Sequence, residues 1–129
     1  MSIHLNHTIV HARDAAASAR FLADMLGLSD PRPFGPFMGV ELDNGVTLDF
    51  IAAEPHEIII EHYAFLVSEA EFDAIFGRIR ERGLPYWADP AHRHAGEINH
   101  HDGGRGVYWN DPNGHYLEII TRPYGSGTP

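Results

Sequence analysis

Apolar positions along the chain follow two rhythms, one helical and one alternating, and the pair of rhythms occurs twice. Residues 3–12 ("IHLNHTIVHA") are rich in β-branched side chains and read as a strand. Asp14 then stands where it can cap a helix running to about Leu26, with Phe21, Leu22, Met25 and Leu26 on one side and Gly27 as its stop. Beyond the Pro- and Gly-rich "DPRPFGPF", residues 38–42 and 46–51 read as strands joined by the hairpin signal Asp43-Asn44-Gly45, with room for another strand near Pro33. The second round opens with a strand at 62–67. Ser68 and Glu71 form a capping box for a helix carrying Phe72, Ile75, Phe76 and Ile79, which Gly83 ends. A polar, His-rich passage over 89–105 leads to strands at 106–109 and 116–120, separated by the Asn113-Gly114 turn. The tail "RPYGSGTP" has turn composition and is expected to lie on the surface or fray.

The two rounds align at both ends. "NHTIV" at 6–10 matches "EHYAF" at 61–65, which places His7 on His62. "NGVTLDFI" at 44–51 matches "NGHYLEII" at 113–120, which places Asp49 on Glu118. Leu48 and Phe50 flank Asp49, and Leu117 and Ile119 flank Glu118, so strand alternation sends each carboxylate to the face opposite its apolar neighbours. A single strand His or Asp is ordinarily a solvated or hydrogen-bonded residue. Recurrence at both unit starts and both unit ends points instead to a shared site. If the two units pack about a pseudo-two-fold axis, His7, His62, Asp49 and Glu118 converge on it. Two neutral imidazoles and one or two carboxylates suit iron(II), manganese, zinc or nickel better than calcium.

Composition narrows the choice. The chain has 129 residues, room for one domain with a proper core, and its 43% hydrophobic and 21% charged content is that of a globular protein. A formal charge of -9 argues against a nucleic-acid partner, and no apolar run is long enough to span a membrane. The start "MSIH" lacks the basic and apolar regions of a signal peptide, so a cytoplasmic location is expected. With no cysteine, any metal must be held by nitrogen and oxygen.

These residues resemble the vicinal oxygen chelate superfamily, which includes glyoxalase I, type I extradiol dioxygenases, fosfomycin-resistance enzymes and bleomycin-binding proteins. The most specific element is "DPNGHYLEI", similar to that superfamily's closing turn and metal-binding strand. The resemblance implies an α+β fold in which two tandem βαβββ modules, about 1–55 and 56–124 of a single 1–129 domain, form a curved mixed sheet around a metal cleft. It implies one divalent metal ion per site on His7, His62 and Glu118, with Asp49 at the place of the extra glyoxalase I carboxylate. A small-molecule substrate and a homodimer are expected, with the site formed within one chain or across two.

Three functions follow from the resemblance. Extradiol-dioxygenase-like oxidation of a small catechol-type aromatic, with iron(II) favoured over zinc, nickel or manganese, is preferred. Type I extradiol enzymes place a Tyr ten residues before the metal Glu and a His shortly upstream; here Tyr108 stands ten residues before Glu118, and His100 and His101 precede it. These three are the candidate catalytic residues. The spacing of the His differs slightly, and larger extradiol enzymes usually carry two module pairs where this chain has one. The second function is glyoxalase-like isomerisation or lysis through a metal-bound enediolate, with Asp49 as ligand or base. A fosfomycin-type transferase would draw on Arg105 to hold a phosphonate, unless that residue pairs with Asp102 or a neighbouring strand. The third is metal-free sequestration of a small molecule in a cleft lined by Phe34, Phe37, Tyr86, Trp87, Tyr108 and Trp109.

Overall fold

A computed structural model describes residues 2–127. The chain divides into two compact units, Met1–Ile59 and Ile60–Pro129. Unit one runs β1 (His7–Ala12), α1 (Ala15–Leu26), β2 (Arg32–Phe34), β3 (Phe37–Glu41) and β4 (Thr47–Ala52), the expected βαβββ order. Its sheet is ordered β1-β4-β3-β2, with β1 parallel to β4 and the other pairs antiparallel. The first strand is shorter than its β-branched content suggested. Residues 2–6 lie outside it, although the Asn6 carbonyl still accepts the Thr47 N–H at 2.9 Å.

Helix α1 starts where Asp14 Oδ1 accepts the Ala17 N–H at 3.0 Å, and it stops at Gly27, whose φ of 70° is open to glycine and strained for most other residues. Its buried stripe is Ala19, Leu22, Ala23 and Met25, with Phe21 and Leu26 at the margins. Val10, Ala12, Val40, Leu48 and Phe50 are buried from the sheet side. Each large apolar side chain buried in this way contributes about 1.5–3 kcal/mol. The opposite face of the sheet carries His7, Ile9 and His11 of β1, Thr47, Asp49 and Ile51 of β4, and Phe37 and Gly39 of β3, as alternation requires.

Unit two runs β5 (His62–Leu66), α2 (Glu69–Glu81), β6 (Gly106–Asn110) and β7 (Tyr116–Ile120), with sheet order β5-β7-β6. The capping box forms as expected: Ser68 Oγ accepts the Glu71 N–H at 3.1 Å, and Glu71 Oε1 accepts the Ser68 N–H at 2.8 Å. Phe72, Ile75 and Ile79 are buried on α2, and Val107, Trp109, Leu117 and Ile119 on the sheet. The strand that would complete βαβββ is reduced to isolated bridges. Trp87 pairs with Tyr108 and with Ala95, and Asn99 pairs with Gly106. The passage holding them is polar and turn-rich, without the alternation that would extend a ladder. Both units follow the mixed α+β, βαβββ-like plan, and no helix among the described residues is long and apolar enough to cross a membrane.

Candidate metal centre

Strand β7 leaves a turn built by Asp111. Its Oδ1 accepts the N–H groups of Asn113 at 2.8 Å and His115 at 2.9 Å, while Gly114, with φ of 92°, turns the chain into the strand. His115 is buried, and its Nδ1 accepts the Glu61 N–H at 3.0 Å, tying the turn to the start of β5. This pins the register in which His62 faces Tyr116 and Ala64 faces Glu118. Leu117 and Ile119 therefore point to the buried side, and Tyr116 and Glu118 to the other face.

Glu118 is 0% exposed despite lying on that face, because side chains close over it. His62 Nε2 lies 2.9 Å from Glu118 Oε1, with the His62 side chain 44% exposed. The Tyr124 hydroxyl donates to Glu118 Oε2, and the Tyr108 hydroxyl lies 3.0 Å from that of Tyr124. The Tyr108 ring also sits 5.6 Å from the His62 ring. Burial, then the Tyr124 hydrogen bond, then the Glu118 charge push the Tyr108 hydroxyl well above its ordinary pKa. Burial, followed by the bond to Glu118, raises Tyr124 as well.

Among the described residues no Lys or Arg is bonded to Glu118; its partners are an imidazole and a hydroxyl. A buried carboxylate so placed is costly without a cation. One imidazole nitrogen beside a carboxylate is also a donor pair that fits a borderline divalent metal. The pair falls short of a full ligand set. Among the described residues, no three His, Asp or Glu side chains gather as a metal would need. His7 and Asp49 belong to unit one, where they repeat the arrangement: His7 faces Thr47 and Ile9 faces Asp49, as His62 faces Tyr116 and Ala64 faces Glu118. The side chains behave differently. His7 Nδ1 is bonded to Asn6 Oδ1 at 2.8 Å, and Asp49 Oδ1 lies 3.1 Å from where a Cβ on Gly39 would stand.

His100 and His101 are both exposed, and among the described residues neither is hydrogen-bonded to Tyr108 or Glu118. The His101 ring comes within 6.4 Å of the Tyr124 ring. Arg105 pairs with neither Asp102 nor an open cleft. It bonds Glu69 at 2.8 Å and Asp73 at 2.9 Å, with its guanidinium 4.3 Å above the Phe72 ring. Of the aromatics expected along a cleft, Trp109 is buried in the core, Tyr86 packs edge-on against Phe76 at 5.0 Å, and Phe34 is 73% exposed. Phe37 lies on the open face of unit one. Trp87 and Tyr108 share the Glu118 face, where Trp87, His92 and Tyr116 stack at 3.6 and 4.9 Å.

The tail lies on the surface of unit two, as its turn composition led us to expect, but the reach of Tyr124 from it to Glu118 was missed. Pro123 to Ser126 form a turn closed by a 3.1 Å bond from the Ser126 N–H to the Pro123 carbonyl, with Gly125 at φ 80° in its third position. The Pro-Tyr-Gly-Ser order was the available signal for that turn.

Two solved structures are similar to this chain over nearly its whole length. "Oxidase ChaP-H1" is 67% identical, with a TM-score of 0.93 covering 96% of this chain and 99% of its own. "Oxidase ChaP-H2" is 65% identical, with a TM-score of 0.95 covering 99% and 100%. The glutathione transferase FosA of Serratia marcescens is 29% identical over 122 residues, which are 89% of this chain and 78% of that protein. A family model matches residues 4–119, from before β1 to within β7, and the chain belongs to the Glyoxalase/Bleomycin resistance protein/Dioxygenase superfamily.

Proposed function

We propose that the protein is a divalent-metal oxidase or dioxygenase acting on a small hydroxylated aromatic of the catechol type. The observation that carries this reading is the buried Glu118 carboxylate, which has His62 at 2.9 Å and no Lys or Arg partner among the described residues. The oxidase names of the two similar structures support the direction of the chemistry. His62 and Glu118 would hold the metal, iron(II) in preference to zinc, nickel or manganese, with His7 as third ligand from the same chain or a partner copy. Asp49 is the candidate for a fourth. When bound, such a metal supplies a redox-active Lewis acid with positions open to two neighbouring substrate oxygens.

The chain's own residues contribute the rest. Tyr108, whose ring lies 5.6 Å from the His62 ring, carries a hydroxyl that can donate a hydrogen bond to a substrate oxygen. The Trp87, His92 and Tyr116 stack offers a flat apolar wall on the same face. His101, its ring 6.4 Å from that of Tyr124, is a loop histidine placed for proton transfer. Arg105 does not support a phosphonate-transfer reading, because Glu69 and Asp73 already occupy it.

Metal analysis of anaerobically purified protein, followed by a catechol panel under oxygen, tests the proposal. Iron with a ring-cleaved product is the expected result. Zinc or nickel with hemithioacetal turnover would replace it with the glyoxalase reading, and no bound metal with tight retention of the aromatic would replace it with sequestration. Mixing inactive His7→Ala and Glu118→Gln proteins locates His7: restored activity means that the site forms across two copies.

A further inference from the structure

We propose that Tyr124 is a positioning residue for the metal carboxylate, held in place by a strap formed by the tail on Asp102. This rests on the metal reading of His62 and Glu118. Both Glu118 oxygens are engaged, Oε1 by His62 and Oε2 by the Tyr124 hydroxyl. A cation held by His62 Nε2 would replace the first of those bonds, and the second does not depend on it. Tyr124 would then keep Oε2 engaged and fix the orientation in which Glu118 meets the metal.

The tail is built to keep that hydroxyl in place. Asp102 Oδ2 accepts the Gly125 N–H at 3.1 Å and Asp102 Oδ1 accepts the Gly127 N–H at 3.0 Å, so one carboxylate clamps the backbone on the C-terminal side of Tyr124. Ser126 Oγ donates to the Pro123 carbonyl at 2.6 Å, and Arg122 Nη2 donates to the Ser126 carbonyl at 3.2 Å. Gly127 leaves no room for a side chain, since a Cβ there would stand 2.7 Å from Asp102 Cα. Asp102 itself has φ of 56°, an unusual backbone for a non-glycine residue and one that sets its carboxylate beneath the tail. The loop expected to supply a catalytic His thus acts through Asp102 to fix a tyrosine.

Tyr124 also joins two parts of the site. Its hydroxyl contacts both Glu118 and the Tyr108 hydroxyl, so the orientation of Tyr108 depends on it. Tyr124 is 55% exposed as a residue, and its ring fills no core position, so removing the hydroxyl tests positioning with little effect on packing.

Cobalt(II) titration of the full chain, read by visible absorption, is the test. Tyr124→Phe is expected to weaken cobalt binding ~10- to 100-fold and to alter the visible spectrum, because the carboxylate is free to rotate. Asp102→Ala, which keeps the hydroxyl and loosens the strap, is expected to give a smaller loss in the same direction. Wild-type affinity and spectrum in Tyr124→Phe, with binding abolished in Glu118→Gln, would overturn the role of Tyr124 and leave the metal site standing. Undiminished binding in both Glu118→Gln and His62→Ala would remove the metal site and this proposal together. Should Tyr124→Phe not fold, an unchanged affinity and spectrum in Asp102→Ala overturns the proposal.

Discussion

Replacing Glu118 with Gln should make the metal-free protein more stable while destroying its response to metal. Glu118 is 0% exposed, and its partners are His62, on a side chain 44% exposed, and the Tyr124 hydroxyl. Desolvating a carboxylate costs several kcal/mol even after relaxation. Two charge-assisted hydrogen bonds return about 1.5–3 kcal/mol each, so the metal-free site sits near balance. Gln has the same shape and can satisfy both neighbours: its carbonyl accepts from Tyr124, and its amide donates to neutral His62 Nε2. The ionic desolvation disappears and two neutral bonds worth about 0.5–1.5 kcal/mol each remain. The expected gain is on the order of 1–2 kcal/mol, or several degrees in Tm for a domain of this size. Urea unfolding and thermal melts with and without cobalt(II) provide the assay. Wild-type protein at a metal concentration 100-fold above its Kd should gain about 2.7 kcal/mol by mass action, and the variant nothing. A variant that loses about 2 kcal/mol or more and still melts higher with metal would refute the reasoning, because Glu118 would then be a structural hydrogen-bond acceptor.

Three further outcomes follow from unit two. Ser68→Ala removes the acceptor for the Glu71 N–H and should cost about 1 kcal/mol, measured by urea unfolding. Bonding to Ser68 lowers the Glu71 pKa below its ordinary 4.5, so its contribution is complete above that value and disappears as pH falls through the depressed one. Stability measured from roughly pH 6 to 3 should therefore drop less steeply in Glu71→Gln; an unchanged slope counts against the linkage. Arg105→Ala removes two ion pairs and the stacking on Phe72 and should lower Tm, with kcat/KM on the proposed aromatic substrate unchanged. A selective rise in KM would return Arg105 to the substrate-binding side.

The elements that proved legible were those whose cause is local. Asp14, Ser68 and Glu71 announce helix starts because a cap needs only a side chain and a backbone N–H three residues away. The repeat was legible because matched spacing in two places fixes matched register, and β1 pairs with β4 in the same register as β5 with β7. Two features depended on distant partners. The missing strand of unit two could not be foreseen, since Trp87 pairs with Tyr108 across a loop without periodicity. Tyr124 was hidden for the same reason: its place depends on Asp102, 22 positions earlier, adopting a left-handed backbone that no local pattern requires. Arg105 shows a third limit. A cation near a candidate site looks the same in sequence whether it meets a substrate or, as here, Glu69 and Asp73.

The repeat also explains why its two halves differ. Both sheets set a His two residues before the position that faces the carboxylate, yet only the longer Glu118 reaches its imidazole, while His7 is bonded to Asn6. On the proposed reading, a fully symmetric site would surround the cation with two imidazoles and two carboxylates and leave little room for substrate. In such a site the shorter Asp49 would reach less far than a Glu, and the Tyr124 hydroxyl would keep one Glu118 oxygen engaged. Asymmetry of this kind would leave exchangeable positions on the cation, which the proposed oxidation would require. Asp49→Glu tests the idea directly: it should tighten cobalt(II) binding and reduce turnover, and the combination of tighter binding with undiminished turnover would count against it.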